Sequence, residues 1–254
     1  MSWRLSPPIE TILAKGRDGV PLERDEALQL VRLDLESRET YALMEAANHL
    51  SRTTFGDKGE MHFHIGLNVE PCPMDCAFCS LTRRAGLFTE AIEFPEADIL
   101  AWARQGADQG ADALNLMTTG SYPLSRLLEV GRWLRREVAV PLVANTRDLN
   151  HAEAEQLLAA GFVGCYHAVR LGEGTDTPFR PERRIQTIRV LREVGLQWMN
   201  CVEPVGPEHT AEVMVELMLL ARREGATYSG VMRRINFPGS PKEPQGMISE
   251  RRMA

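Results

Sequence analysis

The sequence predicts an α/β fold, a partial (β/α) TIM-type barrel of about six β/α units behind an N-terminal helical extension. Two observations predict it. Up to residue 58, apolar residues keep helical spacing between Gly and Pro breaks, with no strand period. From residue 95 on, amphipathic helices alternate with short apolar runs, and the junctions repeat one form (helix, Gly stop, strand) in "QGADALNLM", "AGFVGCYHAV", "VGLQWMNCV" and "EGATYSGVM". Such repeats wind a parallel sheet through right-handed crossovers.

The elements follow in order. Residues 1–58 read as two or three helices. The barrel core, residues 59–254, opens with "EMHFHIGLNVE", where the period changes to two: Phe63, Ile65, Leu67 and Val69 share one face, and His62, His64 and Asn68 the other. Further strands are expected near residues 113, 141, 163, 198 and 228. Pro95 marks a helix start, Asn150 with Glu153 a capping box, and Ile185, Ile188, Leu191 and Val194 one helix face before Gly195. About six units fall short of the eight of a closed barrel, and "GSPKEPQGMISERRMA" opens another helix with Ser249 as cap, so the barrel is expected to lack its final units. A doubly wound sheet is disfavoured because no G-x-G-x-x-G follows the first strand.

A net charge of -6 and a pI near 5.6 argue against a nucleic-acid partner held by phosphate neutralisation; Arg83-Arg84 and Arg233-Arg234 read as local anion contacts or solvated charge. No signal-peptide pattern or membrane-length apolar run is present, so the expectation is a cytoplasmic protein without a membrane partner. Five cysteines, three of them clustered, suit metal binding in a reducing compartment better than a secreted disulfide framework.

The cluster is "EPCPMDCAFCSL", with Cys72, Cys76 and Cys79 in C-x₃-C-x₂-C spacing directly after the first strand. Three thiolates from one loop can hold a four-iron cluster and leave one iron open to an outside ligand. Structural zinc is the alternative, but it wants a fourth protein ligand, and Cys165 and Cys201 are single residues inside predicted strands. With Phe78 before the last cysteine, the loop resembles the signature of the radical S-adenosylmethionine (SAM) enzymes, and from "YALMEAANHLSRTTFG" onward the chain looks most like their biotin synthase subgroup, which also holds hydrogenase maturases and methylornithine synthase.

The resemblance implies a 4Fe-4S cluster on the three cysteines, SAM on the open iron, one-electron cleavage of SAM to a 5'-deoxyadenosyl radical, and an electron donor such as flavodoxin or ferredoxin. It also implies cofactor-binding roles for Phe78; for Thr119 and Gly120 in "LMTTG", at the SAM amino group; for Arg170 and Glu173 in "YHAVRLGEG", at the methionyl carboxylate and the ribose or amino group; and for backbone near Val205 and Gly206 in "VEPVGPEHT", at the adenine. "VMRRINFPGSP" resembles the sixth-strand segment that ends in Thr-Pro or Ser-Pro. Arg170 with Glu173 also reads as a loop ion pair, and Gly206 as a turn residue.

The resemblance is incomplete. Biotin synthase carries a second cluster on cysteines from three strands and an arginine, whereas "ALNLM" and "PLVAN" contain no cysteine, which leaves sulfur insertion without its donor. Cys165 and Cys201 read as cavity-facing or as small buried hydrophobes. By alternation His62, His64, Asn68, Asn115, Asn145, His167 and Glu203 face inward, a polar set that a small polar substrate would satisfy. His167 and Glu203 are the candidate catalytic residues, with a satisfied core histidine as the other reading of His167.

Overall fold

The computed structural model describes residues 4–254. Three helices come first, α1 (Pro7–Arg17), α2 (Arg24–Val31) and α3 (Arg38–Phe55). They close on their own apolar cluster of Ile9, Ile12, Leu13, Leu30 and Ala46. Then follow β1 (His62–Gly66), β2 (Asn68–Val69), β3 (Ile92–Glu93), α4 (Glu96–Asp108), β4 (Ala113–Met117), α5 (Leu124–Glu137), β5 (Leu142–Asn145), α6 (His151–Ala159), β6 (Phe162–Tyr166), α7 (Pro181–Glu193), β7 (Gln197–Val205), α8 (Ala211–Arg223), β8 (Tyr228–Arg233) and α9 (Glu250–Met253).

The large sheet has the order β1-β4-β5-β6-β7-β8, parallel throughout. It is a six-stranded partial barrel with helices on its outer face. The main apolar cluster lies between sheet and helices, joining Ile65, Leu114, Leu116, Leu142 and Phe162 to Ile99, Leu127, Leu134 and Leu157. The inner face keeps only a small apolar group, Ala113, Val143 and Met199, with Tyr166 against it. The two edge strands approach each other across the interior, where the His62 and Tyr228 rings stack at 5.7 Å between centroids. The helical extension is fixed against α8 on the outer face of the barrel: Arg24 reaches Glu216 at 2.6 Å, and Arg222 Nη1 donates to the Leu22 carbonyl at 2.7 Å.

Local signals are realised as read. Asn150 accepts from Glu153 N while the Glu153 carboxylate caps Asn150 N, and Ser249 accepts from Arg252 N. Two expectations about strands need correction. The first strand leaves the sheet at Gly66, and Asn68–Val69 pairs antiparallel with Ile92–Glu93, so Asn68 is not on the inner face of the barrel. In β6, pairing with β5 skips Val163: Leu142 faces Phe162, and Val143 faces Gly164. Phe162 packs outward and Val143 inward, so this one-residue irregularity turns Gly164 and Tyr166 inward and Cys165 outward, into the core beneath the helices. His167 follows Cys165 to the outer side.

Candidate functional site

At the C-terminal ends of β4, β5 and β6 a cavity of about 140 Å³ opens, in the place where barrels of this type keep their chemistry. The cysteine loop roofs it. Cys72 N donates to the Leu81 carbonyl at 2.8 Å and the Cys72 carbonyl accepts from Arg83 N at 3.1 Å, tying the loop's two ends together. Cys79 N donates to the Cys76 carbonyl at 3.0 Å, and Asp75 takes a left-handed conformation (φ 46°) that turns the chain between Cys72 and Cys76. From outside, Ala77 N donates to the Asp176 carbonyl at 2.8 Å and Ser240 Oγ to the Ala77 carbonyl at 3.3 Å.

Cys72, Cys76, Phe78, Cys79, Thr119, Gly120 and Arg170 all line this one cavity with Asn145, which alternation placed on the inner face, joined by residues that sequence reasoning missed: Met74, Arg147, Phe179 and Arg184. Gly120 has a steric reason to be glycine, since a Cβ there would sit 2.7 Å from Met74 Cγ on the opposite wall. Thr119 is fixed by a double tie, its N donating to Asn68 Oδ1 at 3.1 Å and Asn68 Nδ2 donating to its Oγ1 at 2.8 Å, and its hydroxyl donates in turn to Glu70.

Behind the thiols runs a chain of buried and half-buried charges. Arg170 Nε donates to Glu203 Oε1 at 3.2 Å and Arg170 Nη1 to Glu173 Oε1 at 3.4 Å; Arg184 Nε lies 3.7 Å from the same Glu173 oxygen, and Arg184 Nη1 donates to Asp148 Oδ1 at 3.1 Å. Glu173 also accepts from Thr177 Oγ1 at 2.7 Å, and its side chain is 1% exposed. Its carboxylate therefore supports the two guanidiniums from behind, and Glu173 is absent from the cavity wall. Burial and the neighbouring Arg170 hold Arg184 below the ordinary arginine value, while in Arg170 the pull of Glu203 and Glu173 outweighs burial. Arg184 was legible after all: Ile188 and Leu191 follow it at i+4 and i+7 on the buried face of α7, a spacing that does not suit a solvated charge.

The remaining sequence candidates lie elsewhere. His167 is wholly buried, its Nε2 3.1 Å from Asp148 Oδ1, and Trp198 Nε1 donates to its carbonyl at 2.8 Å. Burial, reinforced by Arg184 and opposed by Asp148, pushes the ring down to about 3. This is the core-histidine reading, reached because the irregularity in β6 turned the side chain away from the interior. Val205 points into the outer core with Val202 and Met214. Its carbonyl accepts from Arg234 N at 2.8 Å, and Gly206 N donates to His209 Nδ1 at 2.9 Å. A Cβ on Gly206 would meet Arg234 Nη1 at 2.3 Å, so glycine is needed for close approach of the Arg234 side chain. Arg234 is not solvated charge: it is 2% exposed and pairs with Glu208 at 2.5 and 3.1 Å. Burial raises the Glu208 carboxyl, but the Arg234 hydrogen bonds outweigh it and hold the group at about 2.

The donor set fits an iron-sulfur cluster. Burial pushes the Cys76 thiol up to about 12 and Cys79 also upward, so these thiols become ligands only beside a compensating cationic centre. Among the described residues no group of three His, Cys, Asp or Glu is placed to hold a single metal ion.

Similarity to known proteins agrees with this geometry. The biotin synthase of Geobacter sulfurreducens is 29% identical over 216 residues, covering 80% of this chain and 64% of that protein. The biotin synthase of Renibacterium salmoninarum is 26% identical over 235 residues, covering 88% and 67%. The chain is similar in sequence to these biotin synthases over most of its length. Among solved structures, methylornithine synthase (PylB) superposes with a TM-score of 0.76 at 15% identity over 96% of this chain and 73% of that one. The FeFe-hydrogenase maturase HydG from Carboxydothermus hydrogenoformans gives 0.77 at 16% identity, over 96% and 60%. At such identities these two structures carry the fold alone. No protein-family model matches. The chain spans 53% to 67% of the length of the curated relatives it matches. No helix among the described residues is long and apolar enough to cross a membrane.

Proposed function

We propose that this is a cytoplasmic radical SAM enzyme whose barrel core, residues 59–254, acts on a small polar substrate with electrons from a flavodoxin- or ferredoxin-like donor. The observation that carries the reading is one cavity lined at once by Cys72, Cys76 and Cys79, by Thr119 and Gly120, and by the guanidiniums of Arg170 and Arg184. The three thiolates would hold a 4Fe-4S cluster, which when bound with SAM supplies the electron that cleaves SAM to methionine and a 5'-deoxyadenosyl radical. The chain's own part is positioning. Arg170 and Arg184 present positive charge to a carboxylate in the cavity, and the buried Glu173 and the half-buried Asp148 keep both guanidiniums oriented. Phe78 and Phe179 exclude water from the same wall. Glu203 faces the interior below the cavity as the polar group available to substrate.

Anaerobic reconstitution followed by iron and sulfide analysis tests this reading. Iron and sulfide in four-to-four proportion with SAM uptake support it; stoichiometric zinc without sulfide makes the loop a structural metal site.

The names of the curated relatives favour a second reading, sulfur insertion of the biotin synthase kind. Against it, Cys201 is the only cysteine on the inner faces of the described strands, because Cys165 packs outward. A second cluster's iron, lost on Cys201→Ala, would decide for sulfur insertion.

A further inference from the structure

Below the thiol-lined cavity the inner face of the sheet carries polar groups whose hydrogen-bonding capacity is not used up within the chain. Asn115 on β4 is 3% exposed; its Nδ2 lies 2.9 Å from His64 Nε2, and its Oδ1 is buried with no partner. Tyr166 on β6 buries its hydroxyl beside the Glu203 carboxylate and the Cys201 thiol, and it makes no hydrogen bond within range. His64 links the two sides of this floor, since it touches Asn115 and lies within the field of Glu203. A buried amide oxygen and a buried phenol without partners are each costly, and native interiors seldom carry either without a bound group to use it.

The charge count points to the kind of group. Glu203, Glu173 and Asp148 are joined by only two cations, Arg170 and Arg184, in one connected set. One negative charge is left over. The nearby imidazoles do not cancel it, because burial favours the neutral form of both His64 and His167. Asp148 is partly exposed, but Glu203 and Glu173 are buried and share the guanidinium of Arg170, so the unmet charge on their side calls for a cation from outside the chain.

We propose that this inner site binds the substrate by a primary ammonium group, which donates to Asn115 Oδ1 and sets its charge against Glu203, while Tyr166 Oη donates to an acceptor on the same molecule. The inference rests on the reading of the upper cavity as the cluster and SAM site, and gives the substrate the lower part of the same barrel. Asn115 and Tyr166 are thus specificity residues, and Asn115→Leu or Glu203→Gln, the latter keeping shape and a hydrogen bond to Arg170, separates the two recognition elements.

The test is calorimetry on anaerobically reconstituted, SAM-saturated protein with three probes: 6-aminohexanoate, its N-acetyl derivative and hexanoate. The ammonium probe should bind at least about tenfold more tightly than either neutral-ended probe, because only it meets both the amide oxygen and the carboxylate. That preference should vanish in Glu203→Gln and in Asn115→Leu, with SAM affinity within about twofold of wild type in Asn115→Leu, since Asn115 does not line the upper cavity and its side chain bonds only to His64. Equal binding of the three probes by protein that takes up SAM overturns the inference and leaves the radical SAM reading standing. A Glu203→Gln protein that loses SAM affinity but keeps the ammonium preference also overturns it, since the surplus charge then serves SAM. Protein that reconstitutes without SAM uptake overturns the underlying reading, and the inference with it.

Discussion

Replacing His167 by Gln should remove most of the acid sensitivity that this residue gives the fold. In the folded chain burial, with Arg184 and Arg170 adding to it and Asp148 opposing, holds the imidazole at about 3 against an ordinary 6.5. A base depressed on folding stabilises the folded state above its unfolded value, and this contribution is lost as pH falls from 6.5 toward 3, because only the unfolded ring takes up a proton. At about pH 5 the unfolded ring is protonated and the folded ring is not. The gap of about 1.5 pH units, at about 1.4 kcal/mol per unit, makes the loss about 2 kcal/mol relative to neutral pH. His64 and His209 are depressed in the same direction, so the informative quantity is the difference between wild type and variant. Urea unfolding from about pH 7.5 to about pH 5 measures it. The wild-type curve should fall about 2 kcal/mol further than that of His167→Gln. Parallel curves would refute the argument that burial keeps this ring neutral.

Further outcomes follow from the same structure. Cys72→Ala, Cys76→Ala or Cys79→Ala should each abolish SAM cleavage, measured as 5'-deoxyadenosine, whereas Cys165→Ala should keep its iron and cost about 1 to 2 kcal/mol as a core truncation. With a deuterated substrate, Glu203→Ala should lower the ratio of transferred deuterium to 5'-deoxyadenosine while His167→Gln leaves it at the wild-type value, because only Glu203 is on the inner side. Gly131→Ala should destabilise the fold by about 1 to 3 kcal/mol in chemical denaturation, since the new Cβ would lie 2.3 Å from the Phe162 ring where α5 packs on the sheet.

What the sequence determined by itself is whatever depends on residues close together in the chain. Cys72, Cys76, Cys79 and Phe78 form their loop through local hydrogen bonds, the Asn150 and Ser249 caps act within one turn, and the helix, Gly stop, strand junctions fix a parallel β/α order. Arg170, Thr119 and Gly120 also fell where strand ends of such a barrel converge. What only the tertiary structure decided is side-chain phase and charge pairing. Skipping Val163 in the β5 to β6 pairing sends His167 outward and Tyr166 inward, and a period-two reading of one strand cannot detect this because the register belongs to the neighbouring strand. The connected set Glu203, Arg170, Glu173, Arg184 and Asp148, buried or half-buried, is drawn from β7, the turn after β6, α7 and the turn after β5. Each charge taken alone looks like a solvated side chain, and only burial beside partners distant in sequence makes it part of a site, since in a dry interior an ion is tolerated only where its counter-ion is already in place.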